Sequence, residues 1–273
     1  MLRAVLIAIK PAEVQNSLVE FAASLSERHK AALDACTVID ANRLAPPEPV
    51  SIGGSSYKVE RDEHRLALTR QQAAAALAAL EAVARARGIA SSGTIVEGDT
   101  PQVLAEAVQR CDLLLCGHST DADAGERLLL QEILKQSPRP TIVVPKAASH
   151  GQGVLVAYDG SVHAARALAS FVATGLGAGQ GIYVLSIGED SELSRRHADS
   201  AQAYLQRHEL RSSAEIMRPK GRLGDQILKE ASRVSAGLLV MGAFGHSALR
   251  EFFLGSVTRS VLSSLPLPVF LDH

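Results

Sequence analysis

The sequence predicts an α/β fold made of two tandem five-stranded parallel sheets, each covered by its own helices. Short apolar runs of strand length alternate with longer segments whose apolar residues recur at helical spacing, which is the pattern of parallel sheets with right-handed crossovers. The same order of elements runs twice within 273 residues. Equivalent glycines and prolines recur at separations of 123, 125 and 128 residues: Gly98 and Gly221, Gly117 and Gly242, and Pro140 and Pro268. Because these separations are nearly equal, they indicate that the second half is a duplicate of the first.

In the first half, apolar runs predict five strands, and apolar residues three and four positions apart predict four helices. The strands are placed at 5–9, 33–39, 89–96, 112–116 and 140–144, and the helices at 13–29, 58–87, from 98–101 onward, and at 128–134. Gly88 is expected to end the long second helix as its C-cap. The Pro- and Gly-rich segment 41–56 is predicted to be a loop.

The second half repeats this order of elements. Its strands are placed at 154–157, 182–187, 213–217, 238–241 and 269–271, and its helices at 161–171, 191–210, 224–234 and from Gly255 onward. The polar, glycine-bearing segment 145–153 is predicted to link the two halves. The domains are therefore expected to span 1–148 and 152–273.

Charge and cysteine content narrow the class of protein. The chain carries 28 basic and 29 acidic residues, a net charge of -1, which argues against a nucleic-acid partner because such domains usually show a basic excess. Cys36, Cys111 and Cys116 lack metal or redox spacing and are expected to be reduced core thiols. No apolar segment is long enough for a membrane span, and the N-terminal run is too short for a signal peptide. A cytoplasmic protein that does not contact membranes is therefore expected.

One glycine pattern follows the fourth predicted strand of the second half. Gly242, Gly245 and Gly255 lie between the strand at 238–241 and an apolar-periodic helix, and Ser256 stands at the helix start. Glycine lets the backbone approach a ligand closely, and a helix N-terminus presents free N–H groups to an anion. The pattern predicts a phosphate-binding loop. A glycine-hinged loop with an ordinary serine N-cap is the alternative.

The spacing of Gly, two residues, Gly, nine residues and Gly-Ser resembles that of the nucleotide-binding branch of the universal stress proteins. The flanking residues Met241, His246, Ser247, Leu254 and Val257 are also similar to the family. The resemblance covers nearly the whole chain, in the tandem form of the family. It implies the Rossmann-like topology of the adenine-nucleotide alpha hydrolase-like fold. It also implies ATP or a related adenine nucleotide as ligand, with or without Mg²⁺.

The resemblance assigns the ligand to the second half. An aspartate at the end of the first strand lies against the nucleoside in the family, and Asp159 matches it, although a helix N-cap is an equal alternative for this residue. Thr258 is either a contact to phosphate or metal, or a buried hydroxyl bonded to the backbone of its own helix. His246 is either a phosphate contact or a solvated loop residue. The expected nucleotide-binding residues are Ala157, Tyr158, Asp159, Gly160, Val184, Met241, Gly242, Gly245, His246, Gly255, Ser256, Val257 and Thr258.

The first half lacks both the Gly-Ser at the helix start and the aspartate at the end of the first strand. Aligned on the fifth strands, Arg127 and Leu128 stand opposite Gly255 and Ser256, and Lys10 stands where the second half has its aspartate. Side chains thus replace a bare backbone and a hydroxyl. The first half is predicted not to bind nucleotide in the family manner, although an arginine can meet a phosphate by another route.

The sequence therefore favours a stress-response protein in which ATP bound by the second domain acts as a regulatory switch, with little or no hydrolysis. An unidentified protein partner is expected, and the two halves are expected to form an intramolecular pseudo-dimer, with a homodimer as a further option. One alternative is a tandem scaffold that binds no nucleotide. Another is a small-molecule site in the first domain, with 46–56 as a lid. A hydrolase or phosphotransferase is least supported, because no evident general base accompanies the motif.

Overall fold

The structure is a computed structural model of the chain. It describes residues 1–11, 13, 15–46, 48, 55–147, 151–243 and 255–273.

The described part of the first half contains five strands, five α-helices and one short 3-10 turn at Val108–Arg110. In chain order they are β1 (Ala4–Ala8), α1 (Asn16–His29), β2 (Ala32–Ile39), α2 (Ala41–Leu44), α3 (Ser55–Ala86), β3 (Ser91–Glu97), α4 (Thr100–Ala107), β4 (Leu113–His118), α5 (Ala124–Gln136) and β5 (Thr141–Pro145). The described part of the second half continues with β6 (Val154–Ala157), α6 (Val162–Thr174), β7 (Ile182–Ile187), α7 (Ser191–Arg207), β8 (Ser212–Met217), α8 (Leu223–Arg233), β9 (Leu238–Gly242), α9 (Ser256–Ser264) and β10 (Val269–Asp272). All ten predicted strands are present, within two residues of their predicted starts.

The strands form one ten-stranded sheet in the order β3-β2-β1-β4-β5-β10-β9-β6-β7-β8. Within each half every pairing is parallel, and both halves have the same internal order, so the predicted fold class is confirmed. The halves meet where β5 and β10 pair antiparallel, with Val143 opposite Val269 and Ile142 opposite Phe270. The two predicted sheets are thus continuous through a single antiparallel junction.

Further contacts join the halves beside this junction. The backbone N–H of Leu2 donates to the carbonyl of Thr174 at the end of α6, at 2.9 Å. Phe270 on β10 packs edge-on against Phe171 of α6, with ring centroids 6.0 Å apart. Because the side chains of Leu2, Phe171 and Phe270 are fully buried, the two halves share one core.

Helices cover both faces of the sheet, and neighbouring strand residues alternate between two aliphatic clusters. Leu115 and Val240 face the cluster built with α1, α3, α6 and α7, whereas Leu114 and Leu239 face the one built with α4, α5, α8 and α9. This explains why the inner strands are largely apolar, since a parallel sheet is buried on both sides there, whereas the edge strands β3 and β8 are more exposed. Among the described helices, none is long and apolar enough to cross a membrane.

Local capping explains where the element boundaries differ from the prediction. Asp40 accepts a hydrogen bond from the backbone of Arg43 at 3.2 Å and starts α2 inside the segment predicted to be a loop. Gly88 has a φ of 67°, and the N–H of Ile89 bonds back to Ala84, so Ile89 closes α3 instead of opening β3. Helix α5 begins four residues earlier than predicted because Asp123 caps it.

Candidate functional site

A cavity of about 360 Å³ lies at the carboxyl ends of β6 and β9, between α6 and α9. The order of strands reverses at this point, and ligands of open α/β sheets bind at such a crevice. The volume is within the range of about 300–1,000 Å³ found for small-molecule sites. The cavity is lined by Ala157, Tyr158, Asp159, Ser161, His163, Ala164, Leu185, Ile187, Leu223, Ile227, Met241, Gly242, Gly255, Ser256, Val257 and Thr258.

One side of this cavity is apolar. Leu185 and Ile187 of β7 face it together with Met241 of β9 and Ile227 of α8. The side chain of Val184 is buried in the cluster on the opposite face of the sheet and is not part of the lining; the backbone contact to an adenine edge that the resemblance implies for this strand end stays a prediction. The period of two along a strand accounts for this: residues 185 and 187 share a face, and 184 points away from it. Counting alternation along β7 would have found both missed residues.

The loop after β6 brings a carboxylate to the cavity mouth. Asp159 Oδ1 accepts a hydrogen bond from the N–H of Ser161 at 3.0 Å, while Ser161 Oγ accepts one from the N–H of Ala164 at 3.1 Å. Ser161 is therefore the N-cap of α6, and Asp159 forms a turn just before it. Burial, helped by the charge of Asp159, raises the pKa of Tyr158, so the phenol remains neutral and able to donate a hydrogen bond.

Gly160 does not line the cavity. Its φ is 75°, and a Cβ there would collide with the imidazole of His197 on α7. The left-handed turn and the contact with α7 are by themselves sufficient to require glycine here.

The N-terminus of α9 opens into the cavity without a side-chain cap. Gly255 occupies the N-cap position, where no described side chain bonds the first-turn N–H groups, and Gly255, Ser256 and Val257 all line the cavity. Thr258 is buried, and its hydroxyl donates to the carbonyl of Gly242 at 3.3 Å. That bond joins α9 to the end of β9, which is neither of the roles predicted for this threonine.

Gly242 has a packing role that the sequence argument did not include. A Cβ on Gly242 would lie 2.8 Å from the carbonyl carbon of His163 and 2.9 Å from the N of Ala164, both in the first turn of α6. Only glycine lets the α6 backbone lie this close to β9. Gly245 and His246, the remaining predicted site residues, lie outside the described residues.

Comparison with known proteins agrees with this architecture. The model of the universal stress protein family matches residues 1–145 and, a second time, residues 152–273. The chain belongs to the universal stress protein family. It therefore carries two family domains in tandem, and the resemblance drawn from the glycine spacing is confirmed.

Relatives and solved structures from this family cover different shares of the chain. Universal stress protein Slr1230 of Synechocystis sp. is 28% identical over 142 residues, which are 51% of this chain and 49% of that protein, so the match spans about half the relative's length. The universal stress protein in the QAH/OAS sulfhydrylase 3′ region of Thermus aquaticus is 32% identical over 133 residues, 43% of this chain and 96% of that protein. A universal stress protein structure from Archaeoglobus fulgidus aligns with 98% of this chain and 95% of its own, with a TM-score of 0.74 and 19% identity, which shows a shared fold.

The first universal stress protein domain has its own cavity of about 300 Å³ at the equivalent place, but its polar groups differ. Lys10 stands where the second domain has Asp159, and its Nζ is paired with Glu126 Oε1 at 2.5 Å. The helix start also differs, because the Asp123 carboxylate accepts from the N–H of Glu126 at 2.8 Å. A carboxylate therefore already occupies the helix N-terminus that is uncapped in α9.

Gly117, the counterpart of Gly242, is covered by side chains and not by a helix backbone. A Cβ on Gly117 would collide with the amide of Gln15 and lie 3.3 Å from Leu18. Gln15 Nε2 is fixed there by a hydrogen bond to the carbonyl of Val144 at 3.0 Å. These differences support the expectation that the first domain does not hold a nucleotide as the second would.

Proposed function

We propose that the second universal stress protein domain binds an adenine nucleotide, with ATP as the expected ligand. One observation carries this proposal: a single cavity joins an apolar wall, a carboxylate at its mouth and an uncapped helix N-terminus. These features match the three parts of a nucleotide, which are an apolar base, a sugar with hydroxyl donors and an anionic phosphate chain.

The base would lie against the apolar wall formed by Leu185, Ile187 and Ile227. Asp159 is exposed at the mouth, at the end of β6, where its carboxylate would accept hydrogen bonds from sugar hydroxyls. It is unsuited to a phosphate contact because both groups are negatively charged.

The phosphates would lie at the start of α9, where the N–H groups of Ser256 and Val257 and the helix dipole favour negative charge. Among the described residues, no group of three or more His, Cys, Asp or Glu side chains is placed to hold a metal ion. Mg²⁺ is therefore proposed only as a companion of the phosphates, because it is commonly bound by phosphate oxygens and water with few protein ligands.

Both ends of the segment that joins β9 to α9 line the cavity, through Gly242 and Gly255. A bound nucleotide would contact both ends at once. We propose on this ground that binding acts as a regulatory switch read by a protein partner, with little or no hydrolysis. Phosphate release from ATP should therefore stay near the background rate; sustained release that is lost in Asp159→Ala would favour an enzyme.

Calorimetric titration with ATP tests the proposal, and the duplication supplies a matched pair of variants. Ala157 ends β6 and lines the second-domain cavity, and Ala8 ends β1 and lines the first-domain cavity. Ala157→Phe should abolish ATP binding because the ring fills the cavity, while Ala8→Phe should bind like wild type. No heat with the wild-type protein would support a nucleotide-free scaffold instead, and equal binding by both variants would place the nucleotide elsewhere.

The first-domain cavity supports a second candidate function, the binding of a small apolar molecule. Its lining includes many aliphatic side chains and two buried thiols, Cys36 and Cys116, together with polar and charged residues such as Lys10 and Glu126. Burial raises the pKa of Cys116 to about 12, so this thiol remains protonated and apolar in character. Anilinonaphthalene sulfonate tests this site: its fluorescence should rise with wild type and Ala157→Phe but not with Ala8→Phe, and equal signals from all three would contradict it.

A further inference from the structure

A third cavity, of about 440 Å³, lies between the two domains on the face of the sheet covered by α5 and α9. The first domain contributes its wall through β4 and α5, and the second domain through α9 and the start of α8. We call this cavity the arginine cleft. Its lining residues are His118, Arg127, Leu130, Gln131, Arg222, Ser256, Arg259, Ser260, Leu262 and Ser263.

The arginine cleft is positively charged. Three guanidinium groups line it, from Arg127, Arg222 and Arg259, and no carboxylate occurs among the described residues of its lining. Arg222 is paired with Asp225 at 2.8 Å. Arg127 donates to the backbone carbonyl of Ala122, a neutral acceptor, and within the described part of the chain it forms no ion pair. Among the described residues of the lining, Arg127 is thus a guanidinium group whose hydrogen-bond partner is a neutral carbonyl.

A buried polar residue also lines the cleft. His118, at the end of β4, is only 5% exposed and is part of the lining. A neutral imidazole carries one donor and one acceptor nitrogen. The hydroxyls of Ser260 and Ser263 on α9 lie along the same lining, so the walls can bond the oxygens of an anion as well as attract its charge.

Ser256 connects the cleft to the nucleotide cavity, because it lines both. A phosphate chain that begins at the N-terminus of α9 would therefore lie beside the cleft, because Ser256 borders both cavities. Arg127, which lines the cleft from the first domain, lies in the first turn of α5, one residue after Glu126, whose carboxylate is engaged by Lys10.

We propose that the arginine cleft receives the distal phosphates of the nucleotide held by the second domain, and that Arg127 of the first domain binds them directly. The proposal rests on the nucleotide function above and narrows it to nucleoside triphosphates or longer polyphosphate chains. Guanidinium groups bind phosphate oxygens in a bidentate fashion, which makes them selective for the end of such a chain. The domain that lost its own nucleotide site would then detect the length of the chain bound by its neighbour.

Titrations of adenosine, AMP, ATP and inorganic tripolyphosphate into wild type, Arg127→Gln and Arg127→Lys test the proposal. Arg127→Gln should weaken ATP and tripolyphosphate roughly 10-fold or more, the usual effect of losing a charged hydrogen bond, and leave adenosine and AMP unchanged. Arg127→Lys should restore only part of the loss, because lysine keeps the charge but not the planar fork. The side chain is exposed, so both variants are expected to fold.

Arg70→Gln is the matched control, since Arg70 is an exposed arginine of the same domain that pairs with Glu97 away from the cleft. It should bind all four compounds like wild type. ATP affinity that is equal in wild type and Arg127→Gln overturns the role of Arg127, even if nucleotide binding itself is present. If neither adenosine nor ATP binds the wild-type protein, the proposed nucleotide function is wrong. If tripolyphosphate still binds the wild-type protein in that case and this binding is lost in Arg127→Gln, the cleft is an anion site that is separate from any nucleotide site.

Discussion

At the scale of single residues, Gly242 shows how one backbone contact constrains the site. A Cβ at this position would lie 2.8 Å from a backbone carbon of His163, and backbone atoms cannot yield as a flexible side chain can. We predict that Gly242→Ala lowers the free energy of unfolding by about 1–3 kcal/mol, the usual cost of overpacking. Urea denaturation followed by circular dichroism measures this change.

Gly181→Ala is the control for that measurement, because the nearest atom to its added Cβ is a Tyr183 ring carbon at 3.8 Å. Its effect should be within about 0.5 kcal/mol of wild type, as for most substitutions that touch nothing critical. Equal urea midpoints for both alanine variants would show that α6 moves away from β9 in Gly242→Ala with little loss of free energy of unfolding.

His118 gives a prediction on pH. Burial, with the nearby charge of Lys10 adding to it, lowers the pKa of His118 below its ordinary value of 6.5. As pH falls below 6.5, the unfolded chain takes up this proton while the folded protein does not, so the free energy of unfolding falls. His118→Gln should make stability less dependent on pH between 7.5 and 5.5.

Two features make this pH measurement interpretable. Burial also lowers the pKa of His29 and His273, so part of the fall in stability should remain in the variant. The carboxylates with lowered pKa, such as Glu13, begin to lose their contribution only below their ordinary value of 4.5, outside this window. His64→Gln, at an exposed histidine of α3, should retain the full wild-type dependence; the same flattening in both variants would refute the role of His118.

At the scale of elements, the sequence was sufficient wherever apolar periodicity decides the structure. The inner strands follow from apolar runs because both faces of the sheet are buried there, whereas the edge strand β3 is largely exposed and the edge strand β8 is partly exposed. The contacts that the sequence analysis missed depend on side-chain geometry. Thr258 bonds the carbonyl of Gly242, a contact between elements that spacing does not reveal. The apolar wall uses Leu185 and not Val184, which only the strand alternation decides.

The start of α5 is a second case in which geometry decides the element. Asp123 accepts from the N–H of Glu126 at 2.8 Å and starts the helix one turn before the position predicted from its counterpart α9. We predict that Asp123→Ala costs about 0.5–2 kcal/mol of stability through the lost N-cap, as measured by urea denaturation. ATP binding by the second domain should remain.

Asp121→Ala is the matched control for the cap, because Asp121 lies in the same loop but outside the capping position. It should have little effect on stability. A loss as large as that of Asp123→Ala would point to general disturbance of the loop rather than to the N-cap.

At the scale of the whole molecule, the apolar pattern alone does not determine the antiparallel junction of β5 with β10, although the sequence predicts an intramolecular pseudo-dimer. Two equivalent fifth strands can pair within one chain or between two copies, and the apolar pattern is the same in both cases. The structure pairs them within the chain, with Ile142 opposite Phe270. Because the ten strands and both face clusters extend through the two domains, we expect them to unfold as one cooperative unit.

Joint unfolding of the two domains is the final prediction. Phe270 is fully buried at the junction and packs on Phe171, so Phe270→Ala should cost about 3–5 kcal/mol. Hydrogen exchange at increasing urea should show peptides from β2 and β7 losing protection at one shared midpoint, which the variant lowers for both. Tyr57→Ala, at an aromatic residue that is 73% exposed, should leave the midpoint in place. If β7 opened at lower urea than β2 in the variant, the domains would be separate folding units that only touch at the junction.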